Sequence, residues 1–352
     1  MRPRLCSALL AGAITASPVL AQAASPETRE PTPEASPDPE EIGQRKPRPP
    51  GVPEVKSRED YEALLPAERE RFNRWRRPPV TVFVDPRVEF TGSADFNGRD
   101  GDVSITRAGA QFGPAFRVTD NADFALRFET EWSFYDFEDS AGVIGGPLQD
   151  DEPLEDAQLL AVSPVINVEN PGGWSWFAGG RFQSSGETDA DFSDTLTGGG
   201  FGGAMYPITE NLRIGGGIAV TSELSGDGVF ITPLPLFEWR ITDRLSLGTS
   251  ERGVRLAYQP SFGWEFAIEG TIERREYRLD DDGDLPDGAV IDRVAPVVFA
   301  VSYKPHPRFN VTGRVGSVVW GEFEFFDEDG SKVSDVERDP AIFGGLELKL
   351  RF

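Results

Sequence analysis

The chain is almost without cysteine and histidine: 352 residues contain one of each, Cys6 and His306, and two methionines. Cys6 lies ahead of the apolar stretch of an N-terminal export signal, so the processed chain has no cysteine. Disulfides, thiol catalysis and thiolate metal sites are excluded together. A lone histidine between two prolines, in Lys304-Pro305-His306-Pro307, reads as a solvated turn residue, which leaves no placed base of near-neutral pKa for hydrolytic chemistry. Long apolar runs are missing too. Beyond the signal nothing approaches the ~20 residues a spanning helix needs, and the mean hydropathy is −0.35. Excess positive charge is also absent: the formal net charge is −24, which argues against nucleic acid as a partner.

What is present begins with that signal. Arg2 and Arg4 precede an apolar stretch from Leu9 to Leu20, and Ala21-Gln22-Ala23 has the form of a small-residue cleavage box, so residues 1–23 are expected to be a cleaved signal peptide. Residues 24–56 are rich in Pro and Glu with almost nothing apolar, and such a segment cannot bury enough surface to offset its ordering entropy. A disordered periplasmic linker is expected there. In 57–79, Ser57 with Asp60 suggests a helix start, and Tyr61, Leu64, Leu65, Phe72 and Trp75 could share one face. This short helical segment would lean on a barrel mouth or enter the lumen as a plug.

From residue 80 onward, short polar turns alternate with longer acidic, Gly-rich segments. The turns include Val118-Thr119-Asp120-Asn121, Ile208-Thr209-Glu210-Asn211 and Ile241-Thr242-Asp243-Arg244; the longer segments are 96–102, 138–156, 184–194, 223–228, 280–290 and 322–340. Tight turns at one end and long loops at the other is the asymmetry of an outer-membrane β-barrel. With a tight outer reversal near 249–253, the pattern predicts an all-β, antiparallel transmembrane barrel of about 14 strands over 80–352. If the short runs 245–247 and 254–258 merge into a loop, 12 strands remain.

Each predicted strand has an inside and an outside. Phe124, Leu126, Phe128, Trp132 and Phe134 oppose Arg127, Glu129 and Glu131; Leu212, Ile214, Ile218 and Val220 oppose Arg213; Phe237 and Trp239 oppose Glu238 and Arg240. Trp264, Phe266, Ile268 and Ile272 likewise oppose Glu265, Glu269, Glu273 and Arg275. Arg314 joins the lumen-facing set, as do Glu347, Lys349 and Arg351 of the last strand. A charge network lining the lumen explains these same-face acids and arginines more simply than carboxylate catalysis. No enzyme activity and no cofactor are expected. The acidic loops Asp280-Asp281-Asp282-Gly283-Asp284 and Asp327-Glu328-Asp329-Gly330 lack calcium-loop spacing and read as hairpin tips. The run Gly198-Gly199-Gly200-Phe201-Gly202-Gly203 has neither the Lys nor the helix of a phosphate loop.

The chain ends on Phe352, with Leu346, Leu348 and Leu350 on the same face. This ending resembles the C-terminal signal that Gram-negative outer-membrane barrels present to their assembly machinery. The run 237–248, with 253–258 and that terminus, further resembles a family of uncharacterised outer-membrane β-barrel proteins known only as a domain of unknown function. The likeness covers 80–352; it implies fold and location and brings no catalytic residues. Two roles follow: a porin-like channel for small solutes, or a closed structural barrel whose acidic loops bind lipopolysaccharide or a protein. The expected surroundings are outer-membrane lipids and lipopolysaccharide.

Overall fold

A computed structural model describes residues 54, 60 and 79–352, apart from 141–152, 171–172, 227, 251–252, 262, 282–284 and 307. The expected signal peptide and linker, and nearly all of the helical segment, lie outside the described residues. So do Asp282 and Asp284 and most of the loop 138–156.

The described chain is a closed antiparallel β-barrel of 14 strands. Its segments are β1 (Val80–Asp95), β2 (Asp102–Arg117), β3 (Ala122–Glu138), β4 (Asp156–Val168), β5 (Ser175–Glu187), β6 (Leu196–Pro207), β7 (Leu212–Ser222) and β8 (Val229–Arg240). Then come β9 (Leu245–Thr249), β10 (Gly253–Ser261), β11 (Trp264–Thr271), β12 (Glu273–Arg278), β13 (Ala289–His306), β14 (Phe309–Phe326), β15 (Lys332–Arg338) and β16 (Ala341–Arg351). β11 and β12 are the two halves of one broken strand, as are β15 and β16. The weak runs 245–247 and 254–258 do form strands, β9 and β10, joined where the Ser250 amide donates to the Gly253 carbonyl at 2.8 Å.

Three of the tight turns repeat one piece of local chemistry. Thr119, Thr209 and Thr242 each accept, on Oγ1, the backbone N–H two residues on, at 3.2 Å in all three. A Thr hydroxyl bonded this way fixes the reversal before long-range pairing. The ring closes where β16 pairs with β1, Val84 facing Leu350 and Val88 facing Leu346. Past the end of β16, the Phe352 amide donates to the Val82 carbonyl at 2.9 Å.

Alternation along the strands puts apolar side chains outside. Phe182, Ile218, Ile231, Val315 and Leu346 are exposed on the exterior, where lipid takes the place of a core. Aromatic rings collect near the tight turns. Trp174 meets Tyr206 at 5.2 Å between ring centroids, and Trp264 meets Tyr303 at 4.7 Å. Such a girdle suits a membrane interface.

A crease crosses five neighbouring strands at one level. The ladder is interrupted between Thr91 and Ala94 on β1, between Val294 and Pro296 on β13, at Ile272 between β11 and β12, and at Asp339-Pro340 between β15 and β16; on β14 it skips Val319 and Trp320. Pro296 and Pro340 have no N–H to give the ladder, so a sheet breaks readily there. Beyond the crease, β12, the ends of β13 and β14, and β15 form a flap. β12 reaches β5, where Arg278 pairs with Gly186.

Inside the flap lies an aromatic core. Tyr135 packs on Tyr277 at 6.1 Å and on Phe323 at 6.0 Å, and Phe137 packs on Phe323 at 5.7 Å. Val103, Ile105, Val290, Phe325 and Val336 complete it, all buried. β3 and β14 are not neighbours in the ring, so these contacts bring the flap across onto the β2–β3 side of the mouth. The segment 322–340, expected as a loop, is therefore mostly paired strand, with only residues 327–331 between β14 and β15. The physical reason is inverted polarity. The flap's outer face carries Glu322 and Glu324, the latter buried and paired with Arg293 and Lys332, while its inner face is packed with aromatic rings, so the acidic residues mimic a loop in sequence.

Candidate functional site

The interior of the barrel is the candidate site, and it is built in tiers. Nearest the aromatic core, Asp292 is fully buried. It accepts hydrogen bonds from Arg107 at 2.5 Å, from Tyr135 at 3.0 Å and from Arg338. The Arg338 guanidinium also lies 4.0 Å from the Phe323 ring centroid. This tier joins β2, β3, β13 and β15, so the flap is held by charge-assisted bonds as well as rings.

The next tier crosses the lumen. Glu131 of β3 binds Arg87 of β1 at 2.7 Å and Arg275 of β12 at 2.7 Å. Glu129 binds Arg87 at 2.9 Å and Arg181 of β5 at 2.8 Å, and Arg275 also holds Glu273 at 2.6 Å. Most of these groups have little access to water, and each carboxylate sits among several guanidinium donors. A buried charge is tolerable only when compensated in this way.

Toward the tight turns the lining becomes wetter. Glu265 binds Arg255 at 2.5 Å and Lys304 at 3.1 Å; Glu269 binds Arg255 at 2.7 Å and Arg314 at 3.4 Å. Glu347 pairs with Arg314 at 2.7 Å and with Lys349 at 3.4 Å, while Arg351 pairs with Asp85. Phe83 stands between two guanidinium groups, with Arg127 at 5.9 Å and Arg351 at 5.4 Å from its ring centroid. On the far wall Arg213 pairs with Glu238 at 3.0 Å and donates to Ser175 at 2.6 Å. Arg240, the last residue of β8, stands at the rim.

One arc of the wall is apolar. Val165, Phe177, Phe201, Met205, Ala219, Leu234 and Leu236 form a buried cluster over β4 to β8. Here each bulky residue faces a glycine on the next strand. Phe177 opposes Gly203, Phe201 opposes Gly179, Leu234 opposes Gly217 and Leu236 opposes Gly215. A side chain at Gly203 would come within 2.8 Å of the Phe177 ring, so these glycines let the large residues lie flat against the wall. The Gly-rich run read from sequence is this surface.

Sequence reading did not include Asp85, Arg87, Arg107, Arg181, Arg255, Asp292, Lys304 and Arg338 among the lining residues. A signal exists for some: Asp85, Arg87 and Glu89 alternate with Val84, Pro86 and Val88. Leu346, Leu348, Leu350 and Phe352 lie along the exterior of the closing strand, with Leu346 and Phe352 exposed. Among the described residues no group of acids, His or Cys is arranged to hold a metal ion.

No family model and no curated protein matches the chain. Among solved structures it is similar to an outer membrane channel from Pseudomonas putida F1, with 9% identity over 78% of this chain and 96% of that one and a TM-score of 0.44. It is also similar to the Pseudomonas putida toluene transporter TodX, with 8% identity over 80% and 92% of the two chains and a TM-score of 0.41. For the KdgM porin the values are 9% identity, 75% and 97% coverage, and a TM-score of 0.29.

Proposed function

We propose that this protein is an outer-membrane channel for small solutes. The supporting observation is the pairing of an apolar exterior with an interior lined over most of its circumference by charged groups, inside a closed ring of 14 strands. Barrels of about 8 strands fill with their own side chains, whereas those of about 16 to 18 leave an aqueous channel. A lipid-embedded ring close to the larger size, lined by mixed Arg and Glu, suits a narrow pore that admits water and small polar solutes. In this reading residues 1–23 direct export and are cleaved, the 24–56 linker is periplasmic, and Leu346, Leu348, Leu350 and Phe352 are read by the barrel assembly machinery. No catalysis is assigned. Purified protein inserted into planar bilayers should give discrete conductance steps; a barrel that inserts but stays silent would refute the channel.

A second reading has one observation in its favour, the Tyr135–Phe323 contact across the mouth. A sealed barrel would serve as a structural or surface-interaction element, its acidic loops binding lipopolysaccharide through divalent ions, or a protein. Silent bilayers combined with calcium-dependent binding of lipopolysaccharide would favour it.

A further inference from the structure

The aromatic core packs the flap against the β2–β3 side of the mouth, and the wall is not equally high all round. β1, β2, β3, β13 and β14 run for 16 to 18 residues, whereas β9 has five and β10 nine. A strand crosses a membrane in about 9 to 11 residues. β9 pairs with β8 only from Glu238 to Arg240. Along residues 229–236, therefore, β8 has a ladder to β7 on one edge and, among the described residues, none on the other. Among the described residues β12 likewise has no β10 beside it, because the β10–β11 ladder ends at Gly253 and Thr271. The result is a notch in the wall between β8 and β12, above the β9–β10 hairpin.

Polar chemistry fills that notch. Arg274 of β12 lies over the Phe230 ring of β8 at 5.4 Å and binds Glu276 at 3.1 Å and Glu223 at 3.1 Å. Glu276 also accepts the Ser225 amide at 2.9 Å. One step further along the inner face of β8, Thr232 is 3% exposed and its hydroxyl oxygen has no hydrogen-bond partner. A buried hydroxyl without a partner is costly and calls for a ligand or water. The same face of the flap carries Arg293 opposite Arg274, with Glu322 and Glu324 paired to it, so charged rather than apolar groups border this opening.

Resting on the channel reading, we propose that solutes enter through the β8–β12 notch, past the Arg274–Glu223–Glu276 group, and that this group favours small cations over anions. Two carboxylates face one guanidinium there, and Asp194 and Asp287 lie in the loops that Arg278 ties to β12. Arg278 contributes one further positive charge; its guanidinium is committed to the backbone carbonyls of Asp194, Leu224 and Asp287. Thr232 is the first inward polar group that a solute meets beyond Phe230.

The test uses the scarcity of cysteine. In a Cys6→Ser chain, single substitutions Thr232→Cys and Ile105→Cys place a thiol behind the notch and in the axial core. The probes are membrane-impermeant thiosulfonates, one trimethylammonium and one sulfonate, added to the outside of intact cells. Thr232→Cys should react at least about tenfold faster with the cation than with the anion, as a locally negative field requires, and its bilayer current should fall on modification. Ile105→Cys should react with neither. Arg274→Gln should speed modification at Thr232→Cys and shift the reversal potential further toward cations. Equal or greater reactivity at Ile105→Cys would overturn the notch as entrance, and faster reaction with the anion would overturn the cation preference. Labelling as expected in a barrel that never conducts would support the notch and sink the channel reading. Conductance with an inert Thr232→Cys and an unchanged selectivity in Arg274→Gln would sink the notch alone.

Discussion

Arg275 and Glu131 form a 2.7 Å ion pair between β12 and β3, two strands on opposite sides of the barrel mouth. With both side chains buried, removing one partner leaves a charge without full compensation. Glu131→Gln is expected to cost on the order of 3 to 5 kcal/mol, because a broken buried pair costs more than the intact pair contributes. Adding Arg275→Met should recover part of that loss. Chemical unfolding from lipid vesicles measures both, and a double variant whose loss equals the sum of the single losses would show that the two residues are uncoupled.

Charge should be tolerated on one face of β3 and not on the other. Phe128 stacks on Phe112 with centroids 5.5 Å apart, on the lipid side, and Phe128→Arg is expected to cost about 2 to 4 kcal/mol if it sits near mid-membrane. Arg127→Gln, on the lumen side, should change stability by less than about 1 kcal/mol, as polar substitutions facing water usually do. Refolding titrations of the two variants compare the faces, and equal losses would contradict the assignment.

Glycines in the wall should differ by what surrounds them. Gly113 has a φ of 153° and a Cβ there would collide with the Leu126 carbonyl oxygen, whereas at Gly200 the nearest atom is the Gly179 carbonyl oxygen at 3.6 Å. Gly113→Ala should therefore destabilise by roughly 1 to 3 kcal/mol, the cost of a steric misfit. Gly200→Ala should be near neutral. Heat-modifiability on gels ranks them, and the reverse order would refute the backbone geometry at β2–β3.

Deleting Phe352, or changing it to Asp, should block assembly while export to the periplasm continues. The closing strand must pair with β1 to remove the last free edge, and the Phe352 amide and carbonyl both bond to Val82. Fractionation and protease resistance in cells would decide; a normal level of resistant barrel after the deletion would count against an assembly role.

The trunk was legible in sequence because lipid outside and water inside force period-two alternation, as along 264–269, and because turns such as 118–121 repeat one Thr-based pattern. The flap was hidden for the same reason. Beyond the crease Phe323 and Phe325 are packed inside, while Glu322 and Glu324 alternate with them and pair with Arg293 on the other face. Two local signals were available. Glu273-Arg274-Arg275-Glu276 places charges on both faces of a strand, which no lipid-facing segment allows, and Trp132 to Phe137 places rings on both faces, which an open lumen would not favour. Asp292 had no sequence signal as a core residue, since a lone acid reads as solvated until its arginine partners from β2 and β15 are brought to it.

The channel itself is tested most directly by reversal potential across a planar bilayer under a salt gradient. The acidic rim and the Arg274–Glu223–Glu276 group predict discrete conductance steps with modest cation selectivity at low salt. That preference should fade near 1 M, where the screening length is about 3 Å. Inserted protein that passes no current would contradict the account; anion selectivity would show that the inward arginines set the field.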